Sequence, residues 1–215
     1  MVVRQLLADQ GCAVSVRTVQ RAVAPVRQAQ RAADVATVRV ETAPGAQMQI
    51  DFGEKRVTIA GTAITVFLLV AVLSSSRRTF VKAFLHERQD DWREGIAAAF
   101  VHFGGVVLTV LGDNARALVR GRDRASGTVT CHPGYLAFCR DWDVQPRACA
   151  PYRARTKGKV ESGVKFVKRN ALAGRTFTSF AVLEQHLAQW MEDADPRVHG
   201  TTHERPCDRA NRSSW

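Results

Sequence analysis

Two regimes of hydrophobic spacing divide the chain. Over residues 1–31 the apolar positions recur at helical intervals. Val2–Gln10 is expected as a short helix and GCAVS as a turn. Ser15 is placed to cap a second helix in SVRTVQRAVAPVRQAQR, which Pro25 should kink or end. Helix, glycine-containing turn and helix, with Arg17, Gln20 and Arg21 outward, is the helix-turn-helix outline, which many plain helix pairs share. Residues 32–46 (AADVATVRVETAPGA) are small and polar around a Pro44-Gly45 breaker and read as a linker.

Beyond the linker the period changes to that of strands. Gln47–Gly53 alternates, Arg56–Ala60 continues it, Ala63–Leu73 is a longer apolar run, and Arg78–Leu85 follows. Short turns between them predict an antiparallel meander. DWREGIAAAFVHF has helical spacing and Gly104-Gly105 ends it. Val106–Leu111 reads as a strand, 134–142 as a helix and Val144–Ala150 as a short strand. Val160–Leu172 and Ser179–Ala194 read as helices. Three strands followed by alternating helices and strands make an α/β fold with a mixed sheet.

Composition adds one unusual fact. Lys and Arg number 31 against 20 acidic residues, a net charge of +11. Such a surplus points to a polyanionic partner, most often nucleic acid, although a merely basic surface has the same signature. The longest apolar run, Ala63–Leu73, is too short to cross a bilayer and too rich in Val, Ile and Thr to be read as anything but a buried strand. With no signal-peptide pattern at the start, the expected compartment is the cytoplasm, with no membrane partner. The five cysteines (12, 131, 139, 149, 207) match no common zinc spacing and are expected as buried thiols.

Charge is also unevenly placed. Between Arg147 and Arg169 eight basic residues surround one carboxylate, Glu161. On the predicted helix, Val160, Val164, Val167 and Ala171 form the apolar stripe, and Glu161 lies about 100° from Val160, at its border. Lys165 and Lys168 share its face, so an ordinary surface Glu–Lys pair is one reading. Two further carboxylates stand inside the apolar scaffold. Asp51 lies within the first strand, on a polar side (Gln47, Gln49, Asp51, Gly53) that could simply be solvated. Asp113 closes VVLTVLGDN, where it either caps a helix or sits at the strand end that active sites of α/β sheets favour.

The order Asp51, Asp113, Glu161, on first strand, later strand end and helix, resembles the D-D-E triad of transposases and retroviral integrases. The segments ETAPGAQMQIDFGE, HFGGVVLTVLGDN, APYRARTKGKVESGVKFVKRNALAGRTF and VHGTTHERP resemble the IstA-type transposases of the IS21 insertion-sequence family, over about residues 12–208. GCAVSVRTVQRAV resembles the helix-turn-helix that precedes the catalytic core there. The resemblance implies a ribonuclease H-like core at 47–195, a helix-turn-helix-like DNA-binding segment at 1–31, and an extension at 196–215. It implies a chain cut short at both ends, because family members continue upstream and downstream. Phe52 stands where the family often has Trp.

The implied activity is metal-dependent nicking of transposon ends and strand transfer into target DNA. Asp51, Asp113 and Glu161 would hold two Mg²⁺ or Mn²⁺ ions. Lys165 and Lys168 would grip the DNA end, with Lys157, Lys159, Arg155 and Arg169 around them and Arg17, Gln20 and Arg21 on the N-terminal segment. Asn114 matches the family's motif without an assigned role. A homo-oligomer on DNA and a helper ATPase are the implied partners. Two other readings stay open: a catalytically incompetent copy that binds DNA as an inhibitor or relic, and a nuclease of RNA–DNA hybrids.

Overall fold

The computed structural model describes residues 11, 14–35, 42–123, 126–149 and 158–211. The chain separates into two compact units, Met1–Val40 and Glu41–Trp215. In the first, α1 (Val16–Val35) is capped as expected, Ser15 Oγ accepting from the Thr18 amide at 3.1 Å. Pro25 does not end it. Its ring removes one amide donor, and the turns on either side keep their own bonds. The expected helix at Val2–Gln10 lies outside the described residues.

The second unit is built on one sheet. β1 (Gln47–Ile59), β2 (Thr62–Leu73) and β3 (Thr79–Phe84) form the expected antiparallel meander. The two strand segments expected before residue 60 are one continuous β1. β4 (Thr109–Gly112) and β7 (Gln145–Ala148) join in parallel, giving the order β3-β2-β1-β4-β7. β4 starts three residues later than expected, since Val106 and Leu108 face solvent. A short strand not anticipated, β8 (Thr176–Phe177), pairs in parallel with the far end of β1. A separate ribbon, β5 (Val119–Arg122) with β6 (Val129–Cys131), also went unread, because both strands are short and β5 is half arginine.

The helices are α2 (Gln89–Phe103), α3 (Pro133–Asp141), α4 (Gly158–Asn170), α5 (Phe180–Ala194) and α6 (Pro206–Asn211). β2 is buried from Leu68 to Leu73, which only a strand covered on both faces can be. α2 covers one face: a methyl group on Gly95 would stand 2.6 Å from Leu69 Cδ1. Phe52 packs there too, its ring centroid 4.6 Å from that of Trp92, so an aromatic slot accepts Phe in place of Trp. α4 covers the other face through Val160, Val164 and Val167, the expected stripe, with Gly163 among them. Phe166 of α4 meets Trp190 of α5, and Arg78 pairs with Asp195 at 2.8 Å, tying the start of β3 to the end of α5. Cys139 and Cys149 are buried, but Cys131 and Cys207 are only half-buried; none of these four is in a disulfide. Burial pushes the Cys139 thiol up to about 11.

Two glycines set the spacing of α4 from the sheet. A methyl group on Gly53 would meet Val164 Cγ1 at 2.6 Å, and one on Gly163 would meet Val72 Cγ2 at 2.9 Å. Gly53→Ala should therefore destabilise the chain by roughly 1–3 kcal/mol in urea unfolding, the usual cost of overpacking. Gly121→Ala, whose new methyl group would meet nothing within 4 Å, is the control. Equal midpoints for the two variants would refute the close-packing account.

Candidate active site

The polar side of β1 is not solvated. Gln49 is 2% exposed and lies under the N-terminus of α4. Its Oε1 accepts from the Val160 amide at 3.2 Å, one of the first-turn donors that a helix leaves without a partner of its own. Beside it, Gln47 Oε1 accepts from Ser74 Oγ at 3.0 Å, and the Ser74 carbonyl accepts from Lys159 Nζ at 2.9 Å and from Arg77. The helix start is thus bonded both to β1 and to the turn after β2. Gln49 was legible only as a polar strand residue, since nothing in the sequence says which helix will cover it.

These bonds place α4 along Asp51. Val160 touches Gln49 two residues before it, and Val164 and Lys168 lie over Gly53 two residues after it. Glu161, in the first turn of α4, is exposed at the border of the buried stripe. Asp51 is half-buried on the α4 side of β1. Asp113 follows the last residue of β4. β4 pairs with β1 in parallel with Gln49 opposite Leu111, so the same register carried two residues further sets Asp113 opposite Asp51. β1 is therefore the shared neighbour of the other two elements that bear the expected carboxylates, β4 and α4.

The side chains themselves do not close on one another. Among the described residues, no three His, Cys, Asp or Glu side chains gather as a metal-binding group. Carboxylates repel at shared-ion distance unless a cation or proton lies between them. Asp113 is exposed, and its Oδ1 accepts from the Asn114 amide at 2.7 Å. Asn114 braces the sheet, since its Nδ2 donates to the Cys149 carbonyl at 3.1 Å and joins the exit of β4 to that of β7. A fourth carboxylate, Glu87, escaped the sequence reading. Packing around its carboxyl group, and then the charges of Glu54 and Asp51, push it above the usual carboxylate range.

The expected DNA-contact residues divide into four groups. Lys165 and Arg169 are exposed on α4, and Lys168 is half-buried against Gly53. Lys159 is committed to the Ser74 carbonyl, so it anchors the helix. Arg155 and Lys157 lie outside the described residues. Arg17, Gln20 and Arg21 are exposed on α1, in the separate N-terminal unit. Among the described residues Glu161 has no salt-bridge partner, so the surface Glu–Lys pair is not formed.

No protein-family model matches the chain. The transposase for insertion sequence element IS640 of Shigella sonnei is 41% identical over 181 residues, 83% of this chain and 56% of that protein. The transposase for IS21 of Pseudomonas aeruginosa is 43% identical over 163 residues, 75% of this chain and 41% of that protein. The chain thus spans about half the length of the curated relatives it matches. Among solved structures, the HTLV-2 integrase catalytic core domain in complex with magnesium, in its trimeric form, superposes with a TM-score of 0.57 at 13% identity, covering 79% of this chain and 99% of that one. At that identity the likeness speaks for the fold, the ribonuclease H-like mixed sheet flanked by helices. No helix among the described residues is long and apolar enough to cross a membrane.

Gln49→Leu keeps the volume but leaves the buried Val160 amide without its acceptor. It should cost about 1–3 kcal/mol, read as a lower urea midpoint. An unchanged midpoint would mean that the helix start does not depend on this bond.

Proposed function

We propose that this chain, which belongs to the IS21-type family of insertion-sequence transposases, is the DNA-cleaving and strand-transferring core of such an enzyme. The observation that carries the reading is the arrangement of the elements bearing Asp51, Asp113 and Glu161: one aspartate on β1, one just past the end of the parallel neighbour β4, and a glutamate on the helix laid across β1. An all-oxygen donor set of this kind fits a hard divalent cation. Mg²⁺ or Mn²⁺, two ions in all, would be held by these three carboxylates and would supply Lewis-acid chemistry for phosphodiester hydrolysis and transfer. The integrase core with the like fold was solved with magnesium, which supports the choice of metal.

The protein's own part is placement. Asp51 and Asp113 are held by strand pairing, and Glu161 by the glycine-spaced helix. Lys165, Lys168 and Arg169 follow Glu161 along α4, so phosphates arriving at the carboxylates would meet cations on the same helix, and Lys157 and Arg155 precede it in the sequence. Lys159 holds the helix start in place. Arg17, Gln20 and Arg21 would meet DNA separately, from the N-terminal segment. The residue types on α4 suit a polyanion and disfavour a basic partner. Assembly as a homo-oligomer on DNA, with a helper ATPase, completes the proposal.

The test is nicking and strand transfer on duplexes carrying the element's terminal sequence, with Mg²⁺ or Mn²⁺. Asp51→Asn and Glu161→Gln should each lower the rate at least about 100-fold, the scale of losing one charge stabiliser at a reacting phosphate. Activity that survives both substitutions would refute the site. Binding of duplex with no cleavage in either metal would favour the second reading, a DNA-binding inhibitor, to which the lack of a gathered carboxylate group among the described residues also speaks.

A further inference from the structure

The ribbon β5–β6 sits directly after Asp113, and the chemistry above gives it no role. Its two strands pair with Val119 opposite Cys131 and Arg122 opposite Val129, and the register slips between Val119 and Gly121. The residue at the slip is Arg120, and it is exposed. A bulge of this kind bends its strand and re-aims one side chain, and bulges recur beside active sites.

The ribbon is clamped to the strand ends that carry the site. Arg122 Nη1 donates to the Gly127 carbonyl at 3.1 Å, closing the ribbon's own turn. Its Nη2 donates to Asn114 Oδ1 at 3.2 Å and to the Cys149 carbonyl at 2.8 Å. At the ribbon's base, the His132 amide donates to the Leu118 carbonyl at 2.9 Å, and His132 Nε2 lies 3.0 Å from the Arg116 carbonyl. Arg122 is therefore spent on internal bonds. Arg116 and Arg120 are both exposed, and among the described residues neither has an acidic partner. The ribbon's own acid, Asp123, accepts from the Ser126 amide at 2.9 Å within the turn.

Two exposed guanidinium groups, Arg116 in the turn between Asp113 and the ribbon and Arg120 at the ribbon's bulge, suit phosphate oxygens, which an arginine fork binds bidentately. We infer that the β5–β6 ribbon is a second DNA-backbone clamp, in which Arg116 and Arg120 each take a phosphate flanking the one presented to Asp113. The inference rests on the DNA-acting reading above. It differs from the α4 lysines in element and in support, because the contact is set by a bulge held through Arg122 and Asn114.

The experiment is equilibrium binding of the full chain to a short duplex of arbitrary sequence, without divalent metal, over a salt series. Each lost phosphate contact should lower the slope of log affinity against log salt by about 0.9, so the Arg116→Ala/Arg120→Ala double variant should lose roughly 1.8. Arg120→Lys should keep most of the slope. Arg93→Ala, on α2 at the opposite face of the sheet from α4, should leave it unchanged. Circular dichroism matching that of the unsubstituted chain verifies folding; should the double variant unfold, Arg120→Gln alone is read, with a loss of about 0.9. Repetition with a duplex bearing the element's terminal sequence separates the two sources of phosphate: loss only there assigns the ribbon to the element's end, and loss on both assigns it to duplex backbone in general. A slope equal to that of the unsubstituted chain on both duplexes overturns the inference, and so does an equal drop in Arg93→Ala, which would mean that net charge alone was being read. Failure of the activity proposal looks different: the unsubstituted chain would bind duplex with a steep slope yet never nick it.

Discussion

Helix α4 lies closer to the sheet than a methyl group on either side would permit, and the geometry of the site depends on that approach. Gly53 on β1 and Gly163 on α4 leave the gap, and Val164 and Val72 fill it. With ordinary side chains at both places the helix would ride higher, since interiors packed to crystal-like density have no slack to absorb two extra methyl groups. Glu161 would then move away from Asp51, and Val160 would lose reach of Gln49. A packing constraint between apolar surfaces therefore decides where a charged side chain stands.

β1 is the strand on which the site is registered. It pairs with β2 along its whole length, with β4 at its beginning and with β8 at its end. Held on both edges, it cannot slip by a residue without turning its apolar set outward. That rigidity fixes Asp51 beside the exit of β4. The same strand carries Gln49, a buried amide that would be costly unless bonded and that is bonded to the start of α4. The polar side of β1 is thus divided between supporting the helix and presenting a carboxylate.

Charge around the site is arranged in two layers. Close to β1 the carboxylates crowd: Glu54 and Asp51 both raise Glu87, after the packing around its own carboxyl group. Like charges held near one another raise each other's affinity for a proton. Farther out, on α4 and on the β5–β6 ribbon, the charges are positive and exposed. Under the proposed function, a phosphate backbone would meet the outer layer and a divalent cation the inner one.

The sequence by itself determined the meander, the alternation of helices and strands after it, the apolar stripe of α4 and the oddness of a lone glutamate among cations. These follow from local periodicity and charge, which need no knowledge of distant residues. The resemblance to the D-D-E enzymes also rested on motifs that survive without a structure. Tertiary structure decided the rest. Gln49 looked like a solvated strand residue until α4 covered it, and Lys159 looked like a DNA contact until its ammonium met the Ser74 carbonyl. The β5–β6 ribbon, with strands of four and three residues, carries too little periodicity to be read, and its clamp joins residues 114, 122 and 149 from three separate segments. Pairing across such distances depends on which elements the core brings together, and a chain read residue by residue holds no record of that.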